Sequence, residues 1–334
     1  MATMEQVARL AGVSVTTVSH VLNGTRPASE ATRRRVLAAV EQTGYRPNTI
    51  ARALARARTQ SLGLAISGLA NPYFGDVIAA VEAEASRAGH TLLLGDTRED
   101  PAHELRIVHA LLERRVDGLL LAPSPGAAEH VLPYLAAQAV PVVLLDRTPS
   151  EAFDQVASEN EEPTAHLVEH LAALGHRRIA MIVGAPALTT TEERVRGYRL
   201  GMERAGVRAD DALIAGGGSQ RDVARAATHE LLDRPDPPTA LVSGNNFMTI
   251  GVMRALADRG LRVPEDIALV TFDDFEWADL FAPRLTAVAQ PTGELGRRAV
   301  ELLLSRMADP DLPPRTVRLP TTFVHRDSCG CHLE

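Results

Sequence analysis

The chain has 334 residues, 45 % hydrophobic and 23 % charged, with a formal net charge of −7. That length exceeds one ordinary domain and leaves ample apolar content for a sizeable core beyond residue 60. No run of about 18 apolar residues occurs and the first residues are polar rather than a basic, then apolar, leader, so neither export nor a membrane is expected, and a cytoplasmic location is. Charge divides the chain: residues 1–60 hold nine Arg against three Glu, and the remainder 26 Arg against 39 acidic residues. The basic end suits phosphate, and the acidic body discourages nonspecific coating of DNA.

Thr3 and Gln6 stand at the spacing of a capping box, and Val7, Leu10 and Ala11 fall on one face of the helix that follows. Gly12 permits a backbone reversal and Ser14 caps a second helix with Val18, Val21 and Leu22 inward, ending at Asn23-Gly24. This is a helix-turn-helix pattern. Val15, Thr16 and His20 lie on the outward face near the helix N-terminus, the part that enters a major groove. Thr16 and His20 can bond base edges and Val15 can touch a thymine methyl, while Ser14, Thr17 and Ser19 suit phosphate oxygens, with Asn23 closing the DNA-facing set. A third helix is expected from Ser29 to about Gln42, with Val36, Leu37 and Val40 as its core face and Gly44 as its stop.

The segment Tyr45-Arg46-Pro47-Asn48 followed by Ala51-Arg52-Ala53-Leu54 narrows the reading. Together with Gly12-Val13-Ser14, Thr17-Val18-Ser19 and Val21-Leu22-Asn23, it resembles the lactose-repressor and galactose-repressor family, with similarity over essentially all 334 residues. The resemblance implies a hinge helix from Asn48 to Ala55 that forms on operator DNA, with Leu54 as a wedge in the minor groove and Asn48 and Arg52 beside it. So short a helix is marginal alone, so a dimer partner and DNA would have to complete it. A leucine wedge unstacks bases at a cost of a few kcal/mol, offset by contacts to bent DNA.

Beyond residue 60, short apolar runs alternate with amphipathic stretches. Strands are expected at 62–66, 91–94, 118–121 and 140–145, separated by helices at 76–88, 103–114 and 127–138. The pattern restarts with helices at 162–174, 192–205, 221–232 and 248–259 and strands at 179–183, 240–243 and 267–272. Alternation of this kind means parallel sheets covered on both faces, with a ligand site between two lobes at the C-terminal strand ends. The resulting fold class is an all-α helix-turn-helix head with a hinge helix, followed by an α/β body of two doubly wound lobes; the resemblance makes that body periplasmic-binding-protein-like. The head is placed at 1–46, the hinge and linker at 47–60 and the body at 61–334. By resemblance the first lobe covers about 61–160 and 290–320, the second about 161–289 and 321–334.

Asp146, Arg194, Asn245 and Asp273 follow strands or open helices, and the resemblance makes them the polar ligand contacts, with Tyr73 or Phe74 as a stacking wall. Carboxylates accept from neighbouring sugar hydroxyls, the Arg fork donates, and an aromatic face covers the sugar C–H surface. Trp277, the only tryptophan, is placed at the mouth. Two departures from the family pattern bear on the site: Asn245-Asn246 stands where relatives read Asn-Asp, and Ser-Glu-Asn-Glu-Glu occupies 158–162. Leu188 stands where the purine-responsive branch places an effector-contact Arg, so a neutral sugar or polyol is the expected effector.

The expected protein is a homodimeric, sugar-responsive repressor that binds pseudo-palindromic double-stranded DNA, with no enzymatic activity and no cofactor. A corepressor or phosphosugar regulator, or an activator, is the alternative. A nucleotide-dependent enzyme is disfavoured because Ile66-Ser67-Gly68-Leu69-Ala70-Asn71 holds neither a dinucleotide fingerprint nor a phosphate loop. No apolar heptad tail precedes Glu334, so no tetramerising coil is expected. Cys329-Gly330-Cys331-His332 offers thiols for a metal or a strained disulfide, but with no second ligand pair evident a disordered tail with free thiols is expected.

Overall fold

The computed structural model describes residues 2–23, 26–45, 59–280 and 282–331. The chain divides into two compact units between Thr59 and Gln60. In the first, α1 (Met4–Ala11), α2 (Val15–Asn23) and α3 (Glu30–Thr43) pack on one another. The capping box forms: Thr3 N–H donates to Gln6 Oε1 at 3.0 Å and Gln6 N–H to Thr3 Oγ1 at 3.3 Å. Gly12 and Gly44 close α1 and α3 in left-handed backbone, at φ 64° and 63°. Glycine adopts that conformation without steric cost.

The core of this unit is Val7, Ala8, Ala11, Val18, Val36 and Ala39. Leu10 and Leu37 are corrections to the expected core, being 49 % and 48 % exposed. At 100° per residue, each lies about 100° from the centre of its helix's buried stripe. Alanines take the places where α1 and α3 approach, and the larger leucines stand outside.

In the second unit β1 (Ser61–Ile66), β2 (Thr91–Asp96), β3 (Gly118–Leu121), β4 (Val142–Leu145), β5 (Asp154–Ser158) and β11 (Thr316–Leu319) form one sheet, in the order β2-β1-β3-β4-β5-β11. All its pairs are parallel. Helices α4 (Pro72–Arg87), α5 (Pro101–Glu113) and α6 (Val131–Ala136) connect its strands, and α11 (Thr292–Ala308) packs against α4. The second sheet contains β6 (Ile179–Val183), β7 (Ile214–Gly216), β8 (Ala240–Ser243), β9 (Ala268–Phe272), β10 (Thr286–Ala289) and β12 (Thr322–Val324). Its order is β7-β6-β8-β9-β10-β12, with only β12 antiparallel, and α7 (Glu161–Ala173), α8 (Thr189–Arg204), α9 (Arg221–Leu232) and α10 (Asn246–Asp258) complete the lobe. Each sheet has apolar clusters on both faces, which explains why its strands read as continuous hydrophobic runs.

Strand order reverses beside β1 and beside β6. A crevice opens at such switch points at the strand C-terminal ends, so the topology aims two crevices at one another. Helices α4, α5 and α10 begin two to four residues earlier than expected because Asn71, Asp100 and Asn245 cap them, with Pro72 and Pro101 in the first turn of α4 and α5. In contrast α6 is shorter than expected, a turn with Gly126 at φ 75° taking up the residues before it. The C-terminal segment is a further correction: Cys329 is buried in the second-lobe core rather than part of a loose tail. His332 lies outside the described residues.

Helices α7 and α8 approach so closely that a Cβ added to Gly197 would stand 2.2 Å from the Glu161 carbonyl oxygen and 2.8 Å from Thr164 Cβ. Gly75 in α4 has open space instead. Gly197→Ala is therefore expected to lower stability by about 1–3 kcal/mol, whereas Gly75→Ala should be neutral or raise it by about 0.5–1 kcal/mol. Urea unfolding of both variants checks this, and equal midpoints would show that the two helices have room to separate.

Candidate functional site

The α2 surface carries the predicted base readers. Ser14 Oγ accepts the Thr17 N–H at 3.1 Å and lies 2.8 Å from Thr17 Oγ1, so both residues are occupied in capping the helix. Val15 and Thr16 are exposed, whereas Ser19 and His20 are half-buried. Thr16 and His20, four residues apart, share the side of the helix opposite the buried Val18, whereas Val15, three residues before Val18, lies about 60° from it in the first turn. Asn23 ends α2. Asn48, Arg52 and Leu54 lie outside the described residues.

Between the two sheets lies a cavity of about 550 Å³, within the range of small-molecule sites. Of the predicted contacts, Tyr73, Phe74, Asp146, Arg194, Asn245 and Asp273 all line it. Trp277 is a correction: it does not line the cavity but meets the Phe275 ring edge-on at 4.9 Å, and is 38 % exposed. It follows Asp273 by four residues, and a short 3₁₀ turn at Glu276–Asp279 carries it away.

Asp146 follows β4 and Asp273 follows β9, and both hold left-handed backbone, at φ 69° and 71°. Such conformations cost about 1 kcal/mol or more in a non-glycine residue and concentrate at functional sites. Both side chains are buried. Tyr73 donates its hydroxyl to Asp146 Oδ1 at 2.5 Å. Burial, followed by the Asp146 carboxylate, pushes the Tyr73 phenol well above its ordinary pKa, so this oxygen stays a donor. Gln290 Nε2 donates to Asp273 Oδ1 at 2.6 Å, and the Asn246 N–H reaches the other carboxylate oxygen at 3.4 Å.

Arg194 is a buried cation in the same crevice. Its Nε donates to Asn160 Oδ1 at 2.9 Å and one terminal nitrogen to the Gly244 carbonyl, while the guanidinium lies 3.7 Å from the centre of the Phe272 ring. Part of its fork is consumed by the protein, and the stacking fixes the plane of the remainder. Asn245, which lines the cavity, uses its side-chain oxygen to cap α10 through the Met248 N–H at 2.8 Å. Phe247, Gln290 and Leu188 also line the cleft and were not singled out as contacts from sequence, except Leu188 as an apolar replacement. Gln290 follows a short strand that alternation did not reveal, so no local signal marks it.

Several contacts cross between the lobes. Asn246 Nδ2 donates to Asn71 Oδ1 at 2.7 Å, and Thr148 N–H donates to Thr189 Oγ1 at 3.2 Å. Arg318 of β11 pairs through both terminal nitrogens with Glu193 of α8 and also reaches Thr148 Oγ1. Asn160, at the entry to α7, donates to the same Glu193 at 2.8 Å.

Comparison with known proteins fits both units. Residues 3–48 match the model of bacterial regulatory proteins of the lacI family, and residues 168–329 match the periplasmic binding protein-like domain. The chain is 36 % identical over 330 residues to the HTH-type transcriptional repressor PurR of Vibrio atlanticus (strain LGP32), with 98 % of each chain covered. It is 35 % identical over 329 residues to the ribose operon repressor of Escherichia coli (strain K12), covering 98 % of this chain and 100 % of that one. Among solved structures, the lac repressor dimer bound to operator and the anti-inducer ONPF aligns with a TM-score of 0.88 at 30 % identity, over 98 % of this chain and 99 % of the other. The cellobiose complex of the transcriptional regulator CelR aligns with a TM-score of 0.73 at 33 % identity, over 98 % and 100 %.

Burial raises the Asp273 carboxyl above its ordinary pKa, the nearby Arg194 opposing and the Asp146 carboxylate adding to the rise. A carboxyl with a raised folded-state pKa binds its proton more tightly folded than unfolded. Its contribution to stability is therefore present at acid pH and is lost as pH rises through the raised value. Asp273→Asn should accordingly gain stability over the parent at pH 7, with the gain shrinking towards about pH 4, near the ordinary carboxylate value. Urea unfolding at both pH values decides, and a difference independent of pH would contradict the assignment.

Proposed function

The chain belongs to the lacI family of bacterial regulatory proteins and is a DNA-binding transcriptional repressor with a ligand-binding domain; from that premise we propose that its effector is a neutral sugar held between Asp146, Arg194, Asn245 and Asp273. One observation carries this reading: two carboxylates, an amide and a ring-stacked guanidinium converge on one cavity that also has aromatic walls. Adjacent sugar hydroxyls donate to the carboxylates and accept from the Arg fork, and the Tyr73 and Phe74 side cover C–H surface. Buried Leu188 in the cleft wall replaces a polar contact that a purine would use, which favours a sugar over a nucleobase. The ribose operon repressor and the cellobiose-bound regulator among its relatives lend support by their names.

In the proposed mechanism a cytoplasmic homodimer reads two half-sites, with Val15, Thr16 and His20 at base edges and Ser14, Thr17, Ser19 and Asn23 at the backbone. Asn48, Arg52 and Leu54 add minor-groove contacts. Sugar binding favours one arrangement of the lobes, breaking or making the crossing contacts Asn246 to Asn71 and Arg318 to Glu193. The size of the response equals the difference in sugar affinity between the two arrangements. The proposed sign is induction, the sugar releasing operator.

Thr16→Ala or His20→Ala should weaken operator binding by about 1–3 kcal/mol, read by fluorescence anisotropy at fixed salt. Unaltered affinity and base preference in both would remove α2 from base readout. Asp273→Ala should retain operator binding while losing release by the sugar that shifts the parent's melting temperature in a panel of pentoses, hexoses, disaccharides and purines. A parent that responds to purines alone would overturn the sugar assignment.

A further inference from the structure

Among the described residues, one group of His, Cys and acidic side chains is arranged to hold a metal ion, and it lies outside the cleft. His170 comes from the last turn of α7, His325 follows β12, and Cys329 and Cys331 come from the C-terminal turn. One ligand atom from each of the four, two imidazole nitrogens and two sulfurs, lies within 4.8 Å of all the others. The sulfurs are 2.7 Å apart, Cys331 Sγ is 3.7 Å from His170 Nε2, and His325 Nε2 contacts Cys331 Sγ directly. The cysteines are not joined in a disulfide. The two rings meet edge-to-face at 5.1 Å.

We propose that His170, His325, Cys329 and Cys331 form a closed Cys2His2 site for a thiophilic divalent cation, with zinc as the expected ion. Two thiolates and two imidazoles are the donor set of structural zinc sites, whose tetrahedral geometry has bonds of about 2.0–2.1 Å to nitrogen and about 2.3 Å to sulfur. A tetrahedron of that size needs the two sulfurs about 3.8 Å apart and each sulfur about 3.6 Å from each nitrogen, so the metal opens both the Cys329–Cys331 and the His325–Cys331 contacts by about 1 Å, while the His170–Cys331 distance already fits. The turn suits this role. Gly330 stands at φ 84°, and a Cβ there would lie 3.3 Å from Pro264 Cβ, so glycine lets Cys329 and Cys331 face the same point. The neighbouring Arg326 is held by Asp274 and Asp279, which keeps its charge engaged away from the cation.

Helix α7 separates this site from the cleft. Asn160 at its entry binds Arg194, and His170 is ten residues further on, about 15 Å along the axis at 1.5 Å per residue. With four protein ligands no position remains open for chemistry. The ion clips the C-terminal segment to α7 and β12, a structural role within the second lobe.

The test uses the untagged full-length chain, purified under reducing conditions without chelator. Elemental analysis should find about one zinc per chain. After chelation, added Co(II) should give the intense visible bands of a tetrahedral site and a thiolate charge-transfer band. Cys331→Ser and His170→Asn should each lose those bands while keeping the parent's circular dichroism and operator binding. Chelation should lower the melting temperature of the parent and leave both variants unchanged. Reduced protein that takes up neither zinc nor cobalt would overturn the proposal, as would cobalt bands that persist in both variants. A Cys329–Cys331 disulfide, seen as a mass loss of two hydrogens, in protein that remains metal-free after reduction would also overturn it.

Discussion

Burying four charges in one crevice, Asp146, Arg147, Arg194 and Asp273, is the constraint on which the rest of this structure depends. Asp146 and Asp273 end strands in different sheets, and Arg194 joins them from α8. Arg147 stands beside Asp146, its Nε 3.5 Å from Asp146 Oδ2, and because an isolated buried charge costs several kcal/mol none of the four is tolerable without the others or without hydrogen-bonding neighbours. Every supporting feature around the cleft answers that need. Tyr73 and Gln290 donate to the carboxylates, Asn160 and the Gly244 carbonyl accept from the guanidinium, and Phe272 covers its face. These partners satisfy only part of the valence of each group. The remaining valence faces a cavity, so the cleft offers a polar ligand chemistry as well as shape.

Under the proposed function the same groups make the site a switch. The two carboxylates sit on different lobes, so a ligand that bonds both has a higher affinity for one lobe arrangement than another. Competing with it are direct contacts across the divide, Asn246 to Asn71 and Arg318 to Glu193. Glu193 immediately precedes Arg194 and also accepts from Asn160, which in turn accepts from Arg194. One short network thus includes the cleft guanidinium and an interlobe ion pair. Under the proposed function, a sugar that repositions the guanidinium would act on both.

The outline of the fold was legible because buried parallel strands are continuous apolar runs and their helices carry one apolar stripe. Leu62, Leu119, Val143 and Ile182 all announce themselves this way. Polar strands did not: β5 begins with Asp154, which is buried only because Arg306 Nε and the Arg315 N–H bind it from more than 150 residues away. Cap signals at Asn71-Pro72 and Asp100-Pro101 were present in the sequence and mark the true helix starts. Asp146, Asn245 and Asp273 were reachable because they follow strands at positions the family resemblance marks, whereas Gln290 and the Asn246 bridge depend on separations no local pattern encodes. The C-terminal thiols read as a loose tail because their partner His170 is 161 residues from Cys331.

Linkage between cleft and operator is the central claim, and linkage is reciprocal. If sugar lowers operator affinity by some factor, operator DNA must lower sugar affinity by that same factor. Calorimetric titration of the sugar into free protein and into the protein–operator complex, at one salt concentration, measures both sides. The account predicts weaker sugar binding to the complex, by the factor seen in operator release. Equal sugar affinity in the two titrations would contradict it.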